Sequence, residues 1–556
     1  MPRRLLLLVV TALQGCGGCA KEPPKPKTHP PPGSQWETRP GDEVPVPGGQ
    51  IVVHRETEPG QLNALVYSDA WTHRITLNMI HESLVREDPR APFGCIPGLA
   101  ERWDVSPDKL THTFHLRGGV RWHDGQPFTS RDVRFTFDKL FDPKVRADAL
   151  RASFEPLGCN WKTPDERTFV IRCRKPHFLF LTNLDDLPIL PEHAMAKGDM
   201  NTHPRNKEPL GTGPYKFERW VPRGDIVLAR NDDYWGKKGY LDRIVYQYLE
   251  DAHTAFLLAG KGEIDFVSRV REPDMPAVET EPRFRDHFNR LVDTPNQFHL
   301  LVLHCAHPAF SHRLVRRAMA HLFDAEEILT KLMRGLATHI ASVYYEGLPG
   351  HHEGLIPYPF DPERAKQLFD EAGWKDTDGD GVRDKEGKPF HFTFLYPSVS
   401  ASIERWATGY QENLKKAGVR MDLAKLDWAV FLERVSHQKF DMAAMSWIFP
   451  TPRVDPFDLY HSLPQGGSNY GACKNAEMDR LLESTRSELD EAKRVPLDRH
   501  IQEMAYEELP FVPTFRPKLV AIAHKRLHGV STSPEWYQLN EWWIPKRLQQ
   551  PATAAK

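Results

Sequence analysis

The chain has 556 residues and a formal net charge of −2, with 73 Lys and Arg against 75 Asp and Glu. That length exceeds a single hydrophobic core, so two or three compact units are expected. The near-zero balance leaves no basic footprint for nucleic acid or an anionic surface, while 40% hydrophobic residues are ample for globular cores.

In chain order, Arg3 and Arg4 precede the apolar run Leu5–Val10, far shorter than the roughly 20 residues of a membrane helix. Leu13-Gln14-Gly15-Cys16 resembles a bacterial lipobox. Cleavage before Cys16 would remove residues 1–15 as a signal peptide and leave a lipidated cysteine, tethering the chain to a membrane without spanning it. The alternative is an ordinary signal peptide with an incidental cysteine. Residues 16–47 hold nine prolines from Pro23 to Pro47 and read as an extended spacer. No later segment is apolar enough to span a bilayer.

Gly48–Val53 reads as a turn and a short strand. Ile75, Met79, Ile80 and Leu84 recur at helical spacing and predict a helix over Thr72–Val85. Thr113, Phe114 and Leu116 mark a strand and Asp124-Gly125 a turn. Thr129 with Asp132 three residues on makes a capping box for the helix that follows. Cys159 and Cys173 each stand seven residues from Glu166, so a hairpin closing there sets them opposite each other, and export permits a disulfide. Gly211-Thr212-Gly213-Pro214-Tyr215 is a turn signal in which the glycines are expected to use positive φ and Pro214 fixes its own. Tyr215 and Phe217, then Ile226–Leu228, predict a hairpin about Pro222–Gly224. Leu241–Val267 reads strand, helix, strand, the pattern of an α/β lobe with a partly parallel sheet.

Phe298–Cys305 predicts a central strand, followed by helices opening at His312, Asp324 and Asp361. Asp376, Asp378, Asp380 and Asp384 match positions 1, 3, 5 and 9 of an EF-hand calcium loop, but position 12 is Gly387, where the bidentate Glu belongs. An Asp/Gly-rich turn is the competing reading. Trp406–Ala417 and Leu426–Val435 read as helices and Phe440–Trp447 as a strand. Cys95, Cys305 and Cys473 have no evident partner, and the folded part holds no CxxC or Cys/His zinc spacing.

Several of these blocks carry a resemblance in their order along the chain. IPGLAERWDVSPDKLTHTFHLRGGVRWHDGQPFT, PLGTGPYKFERW with NDDYW, LDRIVYQYLEDAHTAFLLAGKGEIDF and NAEMDRLLES with EELPFVPTF resemble the family 5 extracellular solute-binding proteins, the dipeptide- and oligopeptide-binding lipoproteins that feed ABC importers. The resemblance runs from about Gly48 to Trp543. It implies an α/β, two-lobed periplasmic-binding-protein fold of type II, of the large cluster with an extra subdomain. The first lobe would comprise residues 48–84 and 205–298, the extra subdomain 85–204, the second lobe 299–514, and 515–556 the return to the first lobe with a C-terminal tail. It also implies a monomer without cofactor that captures a small solute, a peptide by family default, and delivers it to an ABC permease.

In that family the segment after the aromatic-ended strand lines the cleft, here Met445–Ser462. Peptide-binding relatives place an aspartate shortly after the tryptophan to pair with the peptide's ammonium, since a buried ammonium needs a fixed anion. Here that position is Pro450. Either Asp455 or Asp458 takes the role through a longer loop, or the ligand is not a peptide amine. Trp447 offers a stacking face and Arg453 a bidentate donor for a carboxylate. Tyr470, in a Ser-Asn-Tyr element, Tyr67 and Asp69 before the first helix, and Tyr396 at a strand end are the other expected liners.

An exported hydrolase is the rival reading. His81-Glu82 opens like a zinc HExxH but ends on Val85, and Lys216 replaces the last glycine of a GxGxxG. No GxSxG elbow or GxxxxGK[ST] loop occurs. His351-His352-Glu353 beside Gly350 reads as an exposed turn rather than a metal site. A third reading is a ligand sensor or scaffold lipoprotein uncoupled from transport.

Overall fold

The computed structural model of the chain describes residues 44–67, 69–88, 91–398, 401–449, 453–462, 468–531 and 539–549. The expectations for residues 1–43, Cys16 among them, and for Pro450 fall outside this range.

Strand β1 (Gln50–Arg55) starts a seven-stranded sheet. The chain then leaves it for a hairpin, β2 (Val85–Asp88) and β3 (Ala91–Pro97), and for a four-stranded sheet. That sheet holds β4 (Ala100–Val105), β5 (Thr111–Leu116), β6 (Asn160–Asp165) and β7 (Thr168–Arg172) in the order β4-β5-β7-β6. The chain returns with β8 (Tyr215–Trp220), β9 (Asp225–Arg230), β10 (Arg243–Tyr248), β11 (Phe266–Val267) and β12 (Phe288–Asp293). β13 (Gln297–Leu303) begins a second sheet. β14 (Ala337–His339) and the small hairpin β15 (Asp384–Lys385) and β16 (Lys388–Pro389) intervene. The second sheet then gains β17 (His391–Pro397), β18 (Arg420–Leu426), β19 (Met442–Ile448) and β20 (Phe511–Pro513). β21 (Phe515–Pro517) pairs with β14, and β22 (Leu519–His524) rejoins the first sheet. The orders are β12-β22-β11-β1-β10-β9-β8 and β18-β17-β19-β13-β20. The fold is α/β and two-lobed.

β1 runs parallel to β10 and to β11, the two ends of the strand–helix–strand unit around helix Ala252–Ala259. β22 is antiparallel to β11 and β12 and fills the place between them. Asp265, buried beside β11, accepts from Arg526 Nε and Nη2 at 2.7 Å each and from the Val52 N–H at 2.9 Å. One carboxylate thereby ties the start of the first lobe to its late return. The second sheet shows the two-residue period plainly. Phe298, Leu300 and Val302 of β13 and Ala443 of β19 enter one core layer, while Leu301, Leu303, Met442 and Ala444 enter the other.

Two passages carry the described chain between lobes: Thr294–Asn296 after β12, and Thr514–Lys518 around β21. Arg516 binds them together, donating to Pro295 O and Thr294 O at 3.0 Å each, with its guanidinium 3.6 Å from the centre of the Tyr345 ring. The N–H and hydroxyl of Thr514 both reach His299 O, at 3.0 and 2.8 Å.

Local expectations fare differently. Thr129 and Asp132 form a reciprocal capping box on helix Ser130–Leu140. β6 and β7 form a hairpin in which Asp165 faces Thr168, and Cys159 is bonded to Cys173. The helix expected over Thr72–Val85 covers only Ala70–Thr76. Leu77 is extended, and Asn78 takes a φ of 60°, which a helix cannot contain. The four apolar residues of the stripe are all buried, but the chain reaches that burial by turning. Its turned carbonyls explain the two glycines. Neither Gly211 nor Gly213 has positive φ. A Cβ at Gly211 would stand 1.7 Å from Ile80 O and one at Gly213 2.4 Å from Met79 O, so backbone contact excludes any side chain. The Gly213 and Tyr215 N–H groups donate to those same carbonyls. Thr212, Tyr234 and Trp235 then converge on the buried Glu82, donating at 2.8, 2.7 and 2.9 Å. The GTGPY and NDDYW blocks are therefore a structural clasp.

Replacing Asp265 with Asn leaves Arg526 without its carboxylate partner. The expected loss is about 3 kcal/mol, read as a lower midpoint in urea unfolding with unchanged slope.

Candidate functional site

β19 carries Trp447 opposite Phe298 of β13. Trp447 and Tyr470, 23 positions apart, both pack on the core layer that contains Phe298 and Ala443. They line one hollow of about 10 Å³ with Leu300, Met445, Leu459 and Phe511, room for about one water. A second disulfide holds this wall. Cys305, just after β13, is bonded to Cys473, and its N–H donates to Gly471 O at 2.7 Å. A pairing across 168 residues has no local sequence signal.

Tyr396 lies on the opposite face. With Phe392 and Phe394 it enters the layer covered by helices Arg313–His321 and Ala401–Lys416, and it is buried there. The strand's two-residue period turns it away from Trp447. Tyr67 is exposed, its ring lying over Gly60. Asp69 caps the helix Ala70–Thr76, accepting from Trp71 N and Thr72 N, which accounts for its carboxylate locally. Asp376, Asp378 and Asp384 gather potential ligand oxygens within 4.8 Å, without Asp380. All four carboxylates accept N–H bonds from their own turn: Asp376 from Gly379 and Gly381, Asp378 from Asp380, Asp380 from Val382, and Asp384 from Thr377.

The segment after β19 meets the extra subdomain. Phe178, just before the helix Phe180–Asp185, is buried. Its N–H donates to Arg486 O at 3.0 Å, its carbonyl lies 3.5 Å from Arg453 Nη1, and the Arg494 guanidinium sits 4.6 Å from its ring centre. Asp455 accepts from Arg486 Nε at 2.8 Å and lies 3.8 Å from His177. Burial holds the His177 imidazole down to about 4, against the pull of Asp455, so Arg486 supplies the counter-charge. Asp458 is 3.7 Å from the same guanidinium. Arg453, Asp455 and Asp458, expected to meet ligand, thus stand at a latch between the subdomain and the second lobe. The Phe178 contact is the part that sequence reasoning missed. Arg405 of the second lobe adds a 3.7 Å pair with Glu272 of the first.

A groove of about 930 Å³ opens elsewhere, along the sheet's edge strand β8 and residues 205–210. Its charges are largely matched within the first lobe, Glu58 by Arg55, Asp124 by His193, Glu218 by Arg243 and Lys216 by Asp233. Among the described residues its lining comes from the first lobe alone.

With a two-lobed fold and a site at the lobe contact in hand, the comparisons with known proteins agree with one another. The model of the bacterial extracellular solute-binding proteins, family 5, matches residues 94–469, well over half of the chain. The chain belongs to this family and is a solute-binding protein, not an enzyme. It is 29% identical over 518 residues to the oligopeptide-binding protein AppA of Bacillus subtilis, covering 90% of this chain and 93% of AppA. The structure of that AppA in complex with a nonapeptide superposes with a TM-score of 0.75 at 26% identity, covering 90% of this chain and all of AppA's solved chain. NikA from Brucella suis, in complex with Fe(III)-EDTA, shares the fold with a TM-score of 0.79 at 23% identity, over 89% of this chain and 99% of NikA.

Phe178→Ala removes the ring that Arg494 covers. The ligand-free variant is expected to favour the open form, seen as a larger radius of gyration in X-ray scattering; an unchanged radius would mean the latch does not hold the lobes.

Proposed function

We propose that this chain captures a peptide between its lobes and hands it to the permease of an ABC importer, while a lipid on Cys16 holds it at the membrane surface. The observation that carries the cleft is the meeting of the segment after the Trp447 strand with the Phe178 segment of the other lobe. A solute lying there touches both lobes only when they close, so binding and closure are one equilibrium. The likeness to AppA, whose solved structure contains a nonapeptide, supports a peptide as the solute. Trp447 and Tyr470 form the aromatic wall, Arg453 stands within reach of a carboxylate, and Tyr67 remains a candidate at the exposed rim. The protein works as a monomer, and ATP is consumed by its partners. Among the described residues no helix is long and apolar enough to cross a membrane, which accords with anchoring by lipid.

Native mass spectrometry of the purified chain, before and after unfolding, tests the solute. A family of released masses that fragment as short peptides is expected; one discrete non-peptide mass would replace peptide with another solute class. Trp447→Ala is expected to weaken peptide affinity at least tenfold, about 1.4 kcal/mol, and unchanged affinity in a fluorescence titration would remove Trp447 from the cleft. Cys16→Ser is expected to move the protein from the membrane to the soluble fraction on cell fractionation.

A further inference from the structure

β8 is the outermost strand of the first sheet and pairs with β9 alone. The Arg230 N–H donates to Asp242 O, toward β10, and the Val221 N–H donates to Asp225 O across the hairpin. Alternation along an antiparallel pair fixes the rest. Lys216 and Arg219 turn their backbone groups to β9, and Phe217 and Trp220 turn theirs outward. Among the described residues nothing pairs with these outward groups. The groove of about 930 Å³ lies against this open side. All five residues from Lys216 to Trp220 line it, whereas a groove on one face of the sheet would meet every second residue. The facing wall is firm. Asn206 is buried there, its carbonyl accepting the Leu62 N–H at 2.5 Å, its Oδ1 accepting from Asn63 Nδ2 at 2.8 Å and its Nδ2 donating to Met200 O at 2.8 Å. The result is a slot between a strand edge and a braced run of backbone, floored in part by the buried Pro209 and Leu210. A strand of six residues spans about 20 Å, and a chain laid along β8 would find open main-chain partners on one side and side-chain room on the other.

Charge decides which chain would lie there. Three of the groove's acids are firmly held. Glu58 accepts from Arg55 Nη1 at 2.6 Å and from Trp220 Nε1 at 2.8 Å, Glu218 accepts from Arg243 Nε at 2.8 Å, and Asp124 is bonded to His193 at 2.9 Å. The cations are held loosely or not at all. Lys216 and Arg219 lie 3.6 and 3.8 Å from Asp233 and Asp225, beyond a hydrogen bond. Arg205 and Lys207 form no ion pair among the described residues, and neither does Glu208. Four available cations against one available acid call for an acidic occupant. The same cations disfavour a second copy of this chain, whose β8 would bring Lys216 and Arg219 to the same edge. A bulge between Phe217 and Arg219 further opposes the pairing of like edges.

We propose that this groove docks an extended, acidic segment of a partner protein, which adds to β8 as a further strand. The outward backbone groups of Phe217 and Trp220 supply the main-chain bonds, and Arg205, Lys207, Lys216 and Arg219 receive the carboxylates. The described lining gives such a segment contacts on the first lobe alone, whereas the proposed solute lies between the lobes. The docking site therefore stands independently of the solute reading. Exposed cations beside an open edge also make the encounter sensitive to ionic strength.

The test is calorimetric titration of the full chain at neutral pH and low salt. The probe is a hexapeptide alternating glutamate and valine, acetylated and amidated so that it carries no terminal charge. Its controls are the lysine–valine counterpart and the same acidic sequence with every residue N-methylated, which cannot donate main-chain bonds. The acidic probe is expected to bind, to weaken as salt is added, and to weaken about tenfold or more in Arg205→Glu and in Lys207→Glu; neither control should bind. Trp447→Ala should leave this binding unchanged. Equal binding to wild type and both groove variants would overturn the site. Loss in Trp447→Ala with no change in the groove variants would place the peptide in the cleft, overturning the site while leaving the solute reading intact. Binding of the N-methylated form as tightly as the parent would overturn strand addition, and failure of the acidic probe at millimolar concentration would overturn the proposal. Thermal unfolding of both variants should match wild type, and if Arg205→Glu fails to fold, the exposed Lys207 decides through Lys207→Glu.

Discussion

Arg516 joins the two passages between the lobes by donating to backbone carbonyls on one from a side chain on the other. Those carbonyls belong to residues outside the regular strands, so the clamp fixes the passages to each other without adding them to either sheet. The lobes can then reorient as bodies while the joint keeps its internal bonds. The two disulfides among the described residues respect this division. Cys159–Cys173 lies within the extra subdomain and Cys305–Cys473 within the second lobe. Neither spans the joint, so covalent cross-linking stiffens the parts and leaves their relation free.

What bridges the cleft is weak by design of its chemistry. A ring under a guanidinium, one backbone hydrogen bond and an ion pair at the protein surface each contribute about 1 kcal/mol or less. Such contacts permit closure without making it permanent. A solute that adds contacts to both lobes can therefore shift the balance by its own binding energy, the requirement for a receptor that must also release.

Local chemistry was readable from the sequence wherever one segment determined it. Thr129 with Asp132, the hairpin between Cys159 and Cys173, and the caps at Asp324 and Asp361 each depend on neighbours a few residues apart. Order along the chain was enough to bring out the family as well. Long-range encounters were not readable. Glu82 meets donors 130 to 153 residues away, and Phe178 meets Arg486 and Arg494 across the lobes. The glycines of GTGPY were assigned the wrong cause, since a close approach to another backbone looks in sequence like a need for positive φ. Tyr396 was placed by being at a strand end, when the parity of its position decided which side of the sheet it faces. Arg453 and Asp455 were picked out by charge type, but charge type does not reveal which partner reaches them first.

The position of β22 bears on how the molecule is made. It sits between β11 and β12, yet it follows the entire second lobe in the chain. As synthesis and export proceed from the N-terminus, β11 and β12 emerge with a vacant place between them, and more than 200 residues pass before it is filled. The second lobe can complete its own sheet when β20 arrives, a few residues earlier. The first lobe to begin is therefore the last to finish. During that interval its incomplete edges are exposed to mispairing, a hazard set by connectivity that no improvement in core packing would remove.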